Sequence, residues 1–177
     1  MPDWLLVCYH VPNQPSALRV ATWRALKQRG AILLGPGTYA LPDIPTHRKA
    51  LEALTERIVE GGGTAISFSA AALADPDRRA LELKSEAARH DDYRQVVRST
   101  ANLIDHIERE ESEHDYRFVE VEALEEELAK VRRQLAHVIE RDTTNVPSRE
   151  EAVVAVRAAE TRLQRYMDNA YREENAE

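Results

Sequence analysis

Residues 31–41, AILLGPGTYAL, hold two short apolar runs on either side of Gly35-Pro36-Gly37. Neither run is long enough for a helix, and glycine and proline turn the chain between them, so the stretch reads as a hairpin. Upstream, residues 16–29 carry Leu18, Ala21, Ala25 and Leu26 at helical spacing, with Val20 and Trp23 beside them. This predicts a helix capped by Ser16 and closed by Gly30. Before it, Pro12, Asn13 and Pro15 mark a turn, and WLLVCYHV (4–11) reads as a buried strand. After the hairpin, Pro45 and Thr46 open a second helix with Leu51, Leu54 and Ile58 inward. Gly61-Gly62-Gly63 ends it, and Thr64–Ser69 is a fourth strand.

The order is βαββαβ within about 70 residues, which predicts a ferredoxin-like unit. Two helices cover one sheet face. The other face needs a second cover or is itself a binding surface. From Asp75 onward the register changes. Tyr93, Val96, Thr100, Leu103 and Ile107 step by three and four. So do Val121, Leu124, Leu128, Val131, Leu135 and Val138, and again Ala152, Val156, Ala159, Leu163, Tyr166 and Ala170. No glycine follows Gly63. The fold class expected is therefore α+β: a ferredoxin-like domain over residues 1–74, then a region of three long helices over 75–177. Ser148 and Glu151 have the spacing of a capping box, and a short loop at 143–147 makes the last two helices antiparallel. Their seams either satisfy each other inside one chain or meet a second copy in a homodimer.

The 177 residues carry a net charge of −7, unevenly placed. Residues 1–70 hold seven Lys/Arg against five Asp/Glu, and the remainder hold 17 against 26. That total does not suit a chain that binds nucleic acid over its whole surface, and it directs any anion contact to the front half. A single cysteine, Cys8, excludes an internal disulfide framework. No apolar run approaches membrane-spanning length, and the first residues lack a secretory signal, so a cytoplasmic location without membrane association is expected.

Arg19, Arg24, Lys27 and Arg29 lie on a helix with no acidic residue of its own, and His47, Arg48 and Lys49 open the next. Two readings are open: an ordinary solvated face, or a cationic surface for phosphates or an oxyanion. Trp23 is read as buried, which lets Arg24 anchor the helix through a carboxylate such as Asp43. His10, His47, His90, His106, His114 and His137 are scattered; His106 and Glu110 share a face but lack an HExxH pattern, so the histidines read as surface residues and no metal site is expected. There is no GxSxG, P-loop or GxGxxG. The first strand ends His10-Val11-Pro12, without the carboxylate that ferredoxin-like nucleases place there. Neither enzymatic activity nor a cofactor is expected.

The segment WLLVCYHVPNQPSALRVATWRALKQRGAILLGPGTYALPD resembles the opening of the N-terminal domain of ChrB-type chromate-resistance proteins. The shared pieces are an apolar strand, a Pro-x-x-Pro-Ser-x-x-Arg-Val-x-x-Trp-Arg-x-Leu helix, a Gly-Ala turn and a Tyr-x-Leu-Pro-Asp strand. GGGTAISF, AARHDDYRQVV and the two final helices resemble later parts of the same domain. Its topology is also similar to the central domain of phenylacetate-type repressors. The chain departs from the family at Thr143-Thr144-Asn145, where aromatic residues often follow the Arg-Asp pair. It also ends where larger members continue into a second domain. The resemblance implies a bacterial regulator of transcription that binds promoter DNA and responds to chromate or a related oxyanion. Arg19, Arg24, Lys27, Arg29, Arg48 and Lys49 are its candidate phosphate or oxyanion contacts. The alternative is a non-catalytic interaction or dimerisation module acting with a separate chromate-resistance domain.

Overall fold

A computed structural model describes residues 4–12 and 16–175. Asn13 and Pro15 of the expected turn, and the side chain of the expected cap Ser16, lie outside what is described. The elements run β1 (Trp4–His10), α1 (Ser16–Gln28), β2 (Ile32–Gly35), β3 (Thr38–Pro42), α2 (Pro45–Glu60) and β4 (Thr64–Ala70). They continue as α3 (Asp75–Glu113), α4 (Phe118–Arg141) and α5 (Ser148–Glu174). The protein is α+β. Among the described residues four strands form one sheet in the order β2-β3-β1-β4, every neighbouring pair antiparallel. Two compact units, residues 1–88 and 89–177, divide the chain, and the division falls inside α3.

Local chemistry accounts for the first unit. Gly30 takes φ +68°, and the Ala31 amide reaches back to the Leu26 carbonyl at 3.0 Å, so α1 stops there. At Gly37 (φ +67°) a Cβ would lie 2.3 Å from the Tyr9 carbonyl oxygen, so only glycine allows the hairpin to close against β1. Alternation along the strands then sorts the side chains. Leu5, Val7, Tyr39 and Leu41 pack under Leu26 of α1 and Leu51, Leu54 and Ile58 of α2. Trp4, Ile32 and Ala40 face the other way, where Leu6 and Leu81 of α3 join them. The start of α3 thus supplies the second cover at one end of that face, while Ile66 and Phe68 of β4 stay exposed.

In the second unit, Leu103 and Ile107 pack with Val121, Leu124 and Leu128 and with Ala159, Leu163 and Tyr166. Tyr93 and Val96 do the same with Val131, Val138, Ala152 and Val156. The beginning of α4 therefore meets the end of α5, so the pair is antiparallel and its seams pack on each other.

Two local readings need correction. Pro147, not Ser148, precedes the first helical residue of α5 and there is no side-chain cap; the Ser148 hydroxyl lies 2.9 Å from Nδ1 of His90 instead. His47 is not a surface histidine: it is buried, with Nδ1 2.9 Å from the Pro42 carbonyl oxygen. Among the described residues, no helix is long and apolar enough to cross a membrane.

Candidate functional site

Helix α1 buries Thr22 and Leu26 and turns Arg19, Val20, Trp23, Arg24 and Lys27 outward. Trp23 is 48% exposed rather than buried. It sits one turn from Arg19 on one side and from Lys27 on the other, with Val20 and Arg24 adjacent, because residues three and four apart share a helix face. The product is an apolar strip between cationic side chains, on a helix without a carboxylate.

The other predicted residues are placed differently. Arg29 is half-buried and donates from Nη1 to the Ala25 carbonyl oxygen at 2.9 Å, closing the end of its own helix. Arg48 donates from Nε and Nη2 to the two carboxylate oxygens of Asp43, each at 2.5 Å, and the Ser69 hydroxyl adds a bond at 2.8 Å. The Arg48 hydrogen bonds hold the Asp43 carboxyl below the usual carboxylate range. Asp43 is therefore taken by Arg48, and the expected Arg24 anchor is not formed. Lys49 stands exposed on α2. Of the six predicted contacts, Arg19, Arg24 and Lys27 share one exposed face.

A second constellation, in residues 89–149, was not singled out from the sequence. Arg89 of α3 has a side chain only 4% exposed, with Nη2 3.0 Å from Oδ2 of Asp92. Arg141, at the end of α4, reaches the same oxygen at 2.9 Å. Asp142 accepts from the Tyr93 hydroxyl at 3.0 Å, and its other oxygen accepts from the backbone amides of Thr144 and Asn145. Burial, then the bond to Asp142, pushes the Tyr93 phenol up. This network ties α3 to the α4–α5 loop. The i, i+3 spacing of Arg89 and Asp92 was visible in the sequence; their enclosure was not. The groups with metal-ligand spacing among the described residues, His106, Glu110 and Glu120, lie on α3 and α4.

The family model described as "Protein ChrB, N-terminal" matches residues 19–177. A curated relative, Protein ChrB of Cupriavidus metallidurans, is 38% identical over 60 residues, which is 33% of this chain and 18% of that protein. The matched segment is thus under a fifth of the relative's length.

Proposed function

The chain belongs to the ChrB N-terminal family, and from that premise we propose that it is part of a chromate-resistance regulator that contacts promoter DNA through the outward face of α1. One observation carries the reading: Arg19, Arg24 and Lys27 surround exposed Trp23 and Val20 on a helix with no acid of its own. Guanidinium and ammonium groups position a protein on phosphates, and an aromatic ring between them offers apolar contact to sugars or base edges. Screening limits the reach of distant acidic residues to about 10 Å at moderate salt. Arg48 is neutralised by Asp43, so Lys49 is the stronger second contact on α2. Residues 1–74 are read as a ferredoxin-like domain, supported among the described residues by the strand order β2-β3-β1-β4 with helices after β1 and β3. Chromate or a related oxyanion is the effector in this reading, by way of the family, and the cytoplasm is its location. The exposed Ile66 and Phe68 favour a second reading, an interaction module that works with a separate chromate-resistance domain.

Fluorescence anisotropy of the chain with its own promoter duplex and a scrambled duplex, from about 50 to 200 mM salt, separates the two. A promoter contact weakens steeply with salt, and the Arg24→Gln/Lys27→Gln double variant lowers the log–log slope by about two units, roughly 0.9 per lost phosphate contact. Equal binding by the variant and the wild type at every salt concentration overturns the α1 interface. Chromate that leaves promoter affinity unchanged overturns the effector assignment.

A further inference from the structure

Helices α3 and α4 are joined by a short turn, so the end of one lies beside the start of the other. His106 and Glu110 are one turn apart on α3, and Glu120 is in the first turn of α4. One ligand atom from each of the three lies within 4.8 Å of the others. His106 Nε2 is 3.4 Å from Glu110 Oε1. The opposite ring nitrogen, Nδ1, lies 3.2 Å from Glu127 Oε2 on α4. We propose that His106, Glu110 and Glu120 form a binding site for a first-row divalent cation of the Zn²⁺ class, oriented by Glu127 and clamping α3 to α4 near their turn.

The chemistry of the donor set favours this reading. A carboxylate behind one imidazole nitrogen holds the proton there and leaves the other nitrogen's lone pair for a metal, the usual arrangement of metal-bound histidine. Glu127 stands in that position. Bonds of about 2.0–2.2 Å to Zn²⁺ place neighbouring ligand atoms roughly 3.3 Å apart, so the site closes on an ion by side-chain movements of about an ångström. Glu110 is 8% exposed, its carboxylate held near a second carboxylate, a placement that calls for positive charge between them. Arginines supply part of it: Arg109 Nε is 3.2 Å from Glu110 Oε1, and Arg117 Nη2 is 3.0 Å from Glu120 Oε1 while also pairing with Asp115. Each engages Oε1, which in Glu110 is also the oxygen facing His106 Nε2, so an ion there competes with Arg109 for it. Imidazole with carboxylates and no thiolate suits Zn²⁺, Mn²⁺ or Co²⁺ better than Mg²⁺, which is slow to dehydrate and prefers oxygen alone.

Calorimetric titration of the full chain with ZnCl₂ at neutral pH, in a non-coordinating buffer, tests the site. One equivalent binds the wild type and raises its melting temperature; MgCl₂ at the same concentration gives neither effect. Glu120→Gln and His106→Ala each weaken the affinity at least tenfold, and Glu127→Gln weakens it about tenfold or more, the scale of an outer-shell loss. His137→Ala, at an exposed histidine outside the site, titrates like the wild type. Should His106→Ala unfold, Glu110→Gln and Glu120→Gln carry the same test, because both keep side-chain shape. A wild type that takes up no Zn²⁺, or Glu110→Gln and Glu120→Gln variants that bind it as the wild type does, reduces the cluster to contacts among side chains and overturns the site.

Discussion

Replacing Asp92 by Asn tests the buried ionic network of the helical unit directly. A single oxygen of Asp92 bridges Nη2 of Arg89 at 3.0 Å and Nη2 of Arg141 at 2.9 Å. Without its charge, two guanidinium groups face each other where burial already disfavours the charged form of Arg89. Breaking a buried pair from one side costs about 3–5 kcal/mol. Asp142 still neighbours Arg89 and an amide oxygen still accepts a hydrogen bond, so the lower end applies, about 3 kcal/mol. With a urea slope of about 1.5 kcal/mol/M, the midpoint falls by about 2 M. Arg89→Met is the informative partner. It removes the desolvated charge itself, leaves Asp92 paired with Arg141, and costs about 1 kcal/mol or less. Far-UV circular dichroism follows the helices. Fluorescence follows Trp4 and Trp23, both in residues 1–88, and shows whether the loss is confined to the other unit. A loss below about 1 kcal/mol for Asp92→Asn, or an Arg89→Met variant as unstable as Asp92→Asn, refutes the reasoning.

Three further outcomes follow from the packing. Gly37→Ala sets a Cβ against the Tyr9 carbonyl at a positive φ; a cost of about 2 kcal/mol lowers the melting temperature by roughly 10 °C, read by tryptophan fluorescence. Because Arg48 depresses the folded-state pKa of Asp43, their pairing stabilises the fold above the ordinary carboxylate pKa and is lost as pH falls through the depressed value. Arg48→Met should therefore melt lower than wild type at pH 7, by no more than about 1 kcal/mol since Arg48 is exposed, with the two curves converging as pH falls below the depressed Asp43 value. Leu128→Asp puts a carboxylate between α4 and α5, among Leu124 and Leu163; the helical unit loses about 4 kcal/mol or more and melts, whereas a folded monomer released from a dimer would show that the seam meets another chain.

What the sequence alone determined is local in origin. Apolar runs broken by Gly35, Gly37 and Gly61–Gly63 mark the strands because backbone sterics act within a few residues. The stripes through Leu51, Leu54 and Ile58 or Val121, Leu124 and Leu128 mark helices and their inner faces because side-chain direction repeats every 3.6 residues. The cationic α1 face was legible for the same reason: Arg19, Arg24 and Lys27 avoid the apolar stripe. The tertiary structure alone decided what lies opposite each face. Trp23 borders its stripe, and neighbouring elements leave it exposed; His47, among charged neighbours in sequence, is enclosed. Asp43 went to Arg48 rather than Arg24, and Ser148 to His90 rather than to its own helix end. Arg89 and Asp92 look like a surface pair until Arg141, 49 residues downstream of Asp92, arrives at the same oxygen. Glu127 joins His106 only because the α3–α4 turn brings two helices side by side. Periodicity specifies which side of an element is inward, but burial and partnership depend on surfaces contributed by residues far along the chain, and no local pattern contains them.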